Sequence, residues 1–325
     1  NEVTKQYIPF QHLELEKMMD NIKRVELNQE FEIGDIKIKL INAGHIPGSA
    51  SIIIEGEGKR IAYTGDINAQ DSSLVQGADM NYGELDLLIT ESTYGLNDHP
   101  ERKDVENEFV SFAEEVTDKG GTLLVPAFAV GRSQEIACTL NNHNFSKPVV
   151  MDGMALKTNK ILRNNLECLK DSKAFLKTLD ELTIVKNWKQ RKKILDTPSV
   201  IIAPAGMMVG GLSSFYKEGV IMNEKNAISL VSFQVEGTPG RILLDKKMIR
   251  VNNKLKKIKG KFEHFNFSSH SGNKELLKMI SGIKGNPTIV AVHGEEEQSV
   301  GFTKAIKKKY GYEAIAPRLG DKIEI

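Results

Sequence analysis

Five polar side chains in this sequence each close or follow an apolar, β-type run, and their order constrains the fold more than any other feature. His45 stands in Asn42-Ala43-Gly44-His45-Ile46-Pro47-Gly48-Ser49, and Asp66 in Tyr63-Thr64-Gly65-Asp66. Ile36 to Leu40 alternates apolar residues with lysine ahead of the first, and residues 52–54 with 61–63 predict a hairpin between the two. His45 and Asp66 are therefore expected to leave neighbouring strands at ends that lie close together. An imidazole and a carboxylate on rigid strand ends suit a borderline cation such as zinc. Taken alone, that pair is better explained as a loop histidine and a Gly-Asp turn. Three later residues change the balance. Glu91 ends the run Leu87-Leu88-Ile89-Thr90, His270 sits in Phe267-Ser268-Ser269-His270-Ser271-Gly272, and His293 follows Thr288-Ile289-Val290-Ala291-Val292.

In this order the five resemble the metallo-β-lactamase superfamily, and more closely its β-CASP branch, the nucleases related to the cleavage and polyadenylation specificity factor and RNase J. His45 matches that family's third motif, Asp66 its fourth, Glu91 motif A, His270 motif B and His293 motif C. Three further runs extend the likeness through the middle of the chain: Pro126-Ala127-Phe128-Ala129-Val130-Gly131-Arg132-Ser133-Gln134-Glu135, Ala203-Pro204-Ala205-Gly206-Met207-Met208 with Gly210-Gly211, and Glu236-Gly237-Thr238-Pro239-Gly240-Arg241. The resemblance implies an α/β fold. A metallo-β-lactamase lobe of the αββα type would span residues 1–95 and 259–325, with an inserted α/β (β-CASP) domain at 96–258.

The same resemblance implies zinc-dependent hydrolysis of RNA phosphodiester bonds, in RNA 3'-end processing or decay. Two zinc ions would be bridged by Asp66, with His45 on one and His293 on the other. His270 would give a proton to the leaving ribose oxygen, and Glu91 would hold its ring. His293 favours RNA, because the family's DNA-processing members usually lack that histidine. Gly272 departs from the pattern, since relatives commonly carry aspartate there.

The family's second motif, His-x-His-x-Asp-His, is nowhere in the sequence. Only residues 1–44 precede His45, and the chain opens on Asn1. The expectation is a chain that has lost its N-terminal part and is impaired alone. The alternative is a non-catalytic RNA-binding or scaffold subunit that lacks a complete dizinc site. A small-molecule metallo-hydrolase of the glyoxalase type is disfavoured by the inserted domain and motif B.

Composition narrows the rest. With 44 Lys and Arg against 43 Asp and Glu the net charge is +1, so a globally basic coat is absent and RNA must be held in a local groove. Two cysteines provide neither a disulfide framework nor a zinc–thiolate site and fit a reducing cytoplasm. No apolar run approaches the roughly 20 residues of a membrane span. Single-stranded RNA is the expected partner, together with a homodimer or an RNA-processing complex.

Along the chain, an amphipathic stretch, helical or irregular, is read at 12–22, and hairpin-rich text runs from Phe31 to Ile89. Strand and helix then alternate from about Gly95, which signals a parallel sheet. The strands fall at 122–125, 149–151, 200–203 and 228–233, and the helices at 97–119, 132–140 and 156–169. Strand text returns at 261–267 and 287–292, with helices at 274–280 and 299–310. Val130-Gly131-Arg132-Ser133 and Gly210-Gly211 each predict a helix N-terminus with free N–H groups able to bind phosphate. Arg132, Ser133, Gly210, Gly211 and Arg241 are the candidate RNA contacts. Trp188 and Tyr216 could stack on bases, although packing is the favoured reading of each. His12 and His99 are read as exposed.

Overall fold

The computed structural model describes residues 12–251 and 254–324, so the first eleven residues of the expected first lobe lie outside it. An isolated, fully exposed helix, α1 (His12–Asp20), opens the described chain. Four strands follow in antiparallel sequence: β1 (Glu30–Ile33), β2 (Ile36–Asn42), β3 (Ala50–Gly56) and β4 (Lys59–Tyr63). β1 and β2 are joined by a turn at Gly34, where φ is +60°. β5 (Leu87–Glu91) pairs parallel with β4.

The chain then crosses into a second sheet. Its elements are α2 (Arg102–Asp118), β6 (Thr122–Pro126), α3 (Arg132–Asn142), β7 (Val149–Met151), α4 (Ala155–Arg163), α5 (Ser172–Glu181), β8 (Thr183–Ile184), α6 (Trp188–Ile194), β9 (Ser199–Ala203), α7 (Gly211–Val220), β10 (Ala227–Leu230) and α8 (Pro239–Lys246). A lysine-rich antiparallel ribbon, β11 (Met248–Val251) with β12 (Lys254–Lys257), precedes β13 (Lys261–His264). The last part adds α9 (Asn273–Ser281), β14 (Thr288–Val292), α10 (Glu296–Tyr310) and β15 (Ala314–Ile315).

The first sheet has seven strands in the order β1-β2-β3-β4-β5-β14-β15, and the second six in the order β13-β10-β6-β9-β7-β8. Every residue of β6 and β9 is buried, as expected for parallel strands covered on both faces. One face packs Phe109, Phe112, Ile136 and Leu140 of α2 and α3 onto Leu123, Val125, Val200 and Ile202. The other packs Tyr216 and Val220 of α7 and Leu243 of α8 onto Leu124, Ile201 and Ile228. Leu276, Ile280, Phe302 and Ile306 of α9 and α10 cover one face of the first sheet, against Ile53, Ala62, Leu88 and Ile289.

The strand text at 261–267 was expected in the first lobe. Instead β13 pairs parallel with β10, from Ala227 opposite Lys261 to Leu230 opposite His264. It is an edge strand, with polar residues at three of its four positions, and such a segment carries no sequence signal for which sheet it joins. The crossing back comes later. Phe265 and Phe267 still pack on Phe109, at ring separations of 5.6 and 5.3 Å, whereas the Ser271 N–H already donates to Ile67 O in the first lobe at 2.7 Å. His270 rides on that crossing segment. Among the described residues no helix is long and apolar enough to cross a membrane.

Candidate metal centre and its histidine–glutamate pair

His45 is mounted on a tight loop after β2. Ser49 Oγ accepts the N–H groups of both His45 and Ile46, at 3.1 and 3.2 Å. Gly44 has φ +69°, and a Cβ there would lie 2.3 Å from Asn68 O, so only glycine fits. Nδ1 of His45 donates to Ser269 O at 2.9 Å. That bond fixes the tautomer and leaves the Nε2 lone pair directed at Asp66 Oδ2, 3.7 Å away. His45 and Asp66 do not leave adjacent strands as expected, because β3 lies between β2 and β4. They meet because β2 and β4, both antiparallel to β3, end on the same side.

Asp66 also approaches the exposed His293, whose Nε2 lies 3.3 Å from Oδ1. Its two oxygens therefore face two different imidazoles. His293 ends β14 in the left-handed region, with φ +52°, and its carbonyl accepts from Thr93 Oγ1 at 3.0 Å. Glu91, 1% exposed at the end of β5, accepts from Ile67 N at 2.7 Å and from Thr93 Oγ1. Its main partner is His270, whose Nδ1 lies 2.9 Å from Oε1 and 2.8 Å from Oε2. The His270 ring lies 4.6 Å from that of His45 and 5.8 Å from that of His293. All five strand-end residues thus come together.

The two inner histidines are driven apart electrostatically. Burial lowers the pKa of His45, and the charge of His270 lowers it further, against opposing pulls from Ser269 O, Asp66 and Glu91. A neutral imidazole results, as metal ligation requires. Burial alone would also lower His270, but the hydrogen bond and charge of Glu91, helped by Asp66, outweigh it and raise the value. Donor atoms of His45, Asp66 and His270 all lie within 4.8 Å of one another, close enough to share one cation. These nitrogen and oxygen donors suit zinc.

The expected RNA contacts fare differently. Arg132 reaches the centre, with Nη2 donating to Ser269 Oγ at 2.7 Å. Its Nε is buried with no hydrogen-bond partner among the described residues, and burial, with Arg102 nearby, lowers its pKa to about 10. Ser133 is fully buried, and its hydroxyl donates to Phe128 O at 2.7 Å. The free N–H groups expected there are occupied: those of Arg132 and Ser133 go to Val130 O and Phe128 O, because the loop turns back on itself. At Gly210-Gly211 the chain packs on Pro204, and the Ser213 N–H donates to Pro204 O at 2.7 Å. Arg241 pairs with Asp245 one turn along on the exposed face of its own helix, at 2.9 Å. Tyr216 is fully buried and donates to Asp152 at 2.8 Å, so it cannot stack on a base.

Sequence reading missed three neighbours. His99, read as exposed, is half-buried, with Nε2 3.0 Å from His270 O. Asn266 lies beside it, and Arg102 joins the lobes through Glu135, which accepts the Ser73 N–H at 2.9 Å. Only the density of polar residues in 266–271 hinted at this. Gly272 lets loop 97–98 pass, since a Cβ there would lie 3.2 Å from Asp98 Cα.

Comparison with known proteins gives the family. The Beta-Casp domain family model matches residues 133–243, and the model for a Zn-dependent metallo-hydrolase RNA specificity domain matches 256–317. RNase aCSPSF2 of Saccharolobus solfataricus is 40% identical over 319 residues, covering 98% of this chain and 64% of that protein. Probable RNase MJ4 of Methanocaldococcus jannaschii is 35% identical, covering 100% of this chain and 77% of that one. Transcription termination factor FttA of the same organism is 36% identical, and the chain spans 50% of its length. A protein of unknown function from Enterococcus faecalis V583 shares the fold, with a TM-score of 0.55 at 15% identity over 93% of this chain and 67% of that one. With the five strand-end residues gathered between two sheets, and with relatives matched along nearly its whole length, the chain belongs to the β-CASP branch of the metallo-β-lactamase family.

Proposed function

We propose that this chain is the core of a zinc-dependent ribonuclease acting on single-stranded RNA in 3'-end processing or decay. The observation that carries the reading is the Glu91–His270 pair set beside His45, Asp66 and His293. The relatives' names, RNase aCSPSF2 and probable RNase MJ4, support RNA as the substrate. In this reading His45 and His293 would each supply a zinc ligand, and Asp66 would be the carboxylate shared between the two sites. When bound, zinc supplies the positive charge that acidifies a water and offsets charge on the phosphate.

The chain's own residues do the rest. Arg132, a cation without a carboxylate partner among the described residues, faces the same cleft and is suited to a phosphate oxygen. Glu91 accepts a hydrogen bond from Nδ1–H of His270 and favours the charged ring, which leaves Nε2–H as the proton to be given. With the attacking water already deprotonated to hydroxide, its oxygen bonds to phosphorus as the bond from phosphorus to the ribose oxygen breaks, and that leaving oxygen takes the Nε2 proton. Ser269 and Arg132 hold the backbone beside it.

The test is cleavage of an end-labelled single-stranded RNA by the full-length protein, with zinc and with a chelator. Zinc-dependent multiple turnover is expected. RNA binding with no zinc-dependent cleavage would replace this reading with that of a scaffold subunit.

A further inference from the structure

His270 is held at more points than its ring. Its N–H donates to Ser268 Oγ at 3.1 Å, and its carbonyl lies 3.0 Å from His99 Nε2. A carbonyl only accepts, so Nε2 of His99 carries the proton. The other ring nitrogen, Nδ1, lies 3.0 Å from Asn266 Nδ2. Asn266 Oδ1 accepts the Ser268 N–H at 3.1 Å, which orients the amide so that Nδ2 is the donor to His99. Each link thus specifies the next: Ser268 orients Asn266, Asn266 sets the tautomer of His99, and His99 holds the His270 carbonyl.

The mount of His99 is itself rigid. Its ring packs edge-on against Tyr94, with centroids 4.4 Å apart at 72°. The loop leading to it is stapled to the start of α9: Asn273 N–H donates to Asn97 O at 2.9 Å, Asn273 Nδ2 to Gly95 O at 2.6 Å, and Lys274 N–H to Asp98 Oδ1 at 2.9 Å. The segment between Glu91 and α2 therefore delivers a carboxylate to the His270 ring and an imidazole to the His270 backbone.

We infer that His99 is a positioning residue for proton donation, the neutral histidine that fixes the backbone of His270 so that its ring stays on Glu91 with Nε2 aimed at the leaving group. The inference rests on the proposed role of His270 and adds to it a residue that touches neither RNA nor metal. A ring misplaced by a fraction of an ångström weakens proton transfer while leaving substrate contacts intact.

The experiment uses the full-length, zinc-loaded protein and two substrates: single-stranded RNA, whose leaving alkoxide needs a proton, and bis(4-nitrophenyl) phosphate, whose leaving phenolate does not. His99→Phe keeps a ring against Tyr94 but removes the donor. The ratio of RNA turnover to ester turnover is expected to fall about 10- to 100-fold, the usual effect of losing a partner that orients a site histidine. KM for RNA and zinc content are expected to hold. His99→Gln, which restores an N–H, should recover part of the ratio. In metal-free protein, proton NMR should show the downfield Nδ1–H signal of His270 broadened in His99→Phe and sharpened again in His99→Gln.

Equal loss on both substrates would reduce His99 to a folding role and overturn the inference. So would an unchanged ratio in His99→Phe when His270→Ala is impaired on RNA. An unchanged RNA rate in His270→Ala would remove the proposed proton donor, and the inference with it.

Discussion

Both carboxylate oxygens of Glu91 face one nitrogen of His270, at 2.9 and 2.8 Å, across 179 residues of sequence. Glu91 also accepts the N–H of Ile67, the residue after Asp66. One buried carboxylate therefore sets the positions of the proposed proton-donor ring and of the proposed bridging ligand together. A change at Glu91 should be felt in both metal binding and turnover, more strongly in the second.

The sign of the pH effect follows from the raised pKa of His270. In metal-free protein a raised value contributes stability in full below the ordinary 6.5, and loses it as the pH rises through the folded value. Glu91→Gln removes the charge partner. Wild type should therefore exceed the variant in thermal stability most at about pH 6 and least at about pH 9. The difference at the acid end should be about 1.5–3 kcal/mol, the usual worth of a hydrogen bond to a charged group. Thermal melts across pH test this, and a gap that widens toward alkaline pH would refute it.

His270→Ala should keep its zinc and lose turnover by roughly 10²–10⁴, the range for a general acid. Donor atoms of His270, His45 and Asp66 lie within 4.8 Å of one another, so a ligand role is the competing outcome. Elemental analysis alongside single-turnover cleavage separates the two: lost zinc would make His270 a ligand.

Asp66→Ala should lose both metals, while His45→Ala and His293→Ala should each weaken one. The reason is geometric: Oδ2 faces His45 at 3.7 Å and Oδ1 faces His293 at 3.3 Å. Calorimetric zinc titration of the three variants checks it, and two tight sites remaining in Asp66→Ala would show that it is not the bridge.

Gly44→Ala should destabilise the fold and release the His45 loop together. The left-handed backbone alone costs about 1–3 kcal/mol for a residue with a side chain. The new methyl would also meet Asn68 O at 2.3 Å and Ala78 N at 2.6 Å, both backbone atoms that have little room to move. Urea unfolding and zinc affinity should fall in the same variant, and a wild-type midpoint would contradict the packing.

Arg132→Gln should weaken RNA binding with little dependence on sequence. Removal of one phosphate contact lowers the slope of log affinity against log salt by about 0.7 for a single strand. Binding titrations at several salt concentrations measure the slope directly. An unchanged slope would confine Arg132 to its bond with Ser269.

Glu91 and His293 were legible because each ends a strongly apolar run, the clearest signal a sequence carries, while His45, Asp66 and His270 stood out by their place in the family's motif order. β13 was misplaced because Lys261-Phe262-Glu263-His264 has the pattern of any edge strand. α6 was passed over because its text is rich in basic and poor in apolar residues, and α5, which buries Phe175 and Leu179, was passed over although its apolar content is ordinary. Their caps were nevertheless visible, since Asp171 accepts from Ala174 N–H and Asn187 from Gln190 N–H. His99 could not have been found, because a histidine before proline at a helix entrance looks the same whether it faces solvent or the His270 carbonyl. The expected phosphate-binding amides failed for a similar reason. Gly131 does precede a helix, but the preceding loop supplies its own carbonyls to the first turn.

The distance along the chain between Glu91 and His270 also sets an order of assembly during synthesis. At about 5–20 residues per second, roughly 10–35 s separate the emergence of the carboxylate from that of its imidazole, and His293 comes later still. Throughout that interval the six-stranded sheet is being built and Glu91, at the end of β5, has no imidazole to hold. The growing chain thus carries three of its five site residues in an incomplete form. The five residues cannot meet until the crossing segment and β14 have been made, so the cluster is assembled with the last fifth of the chain.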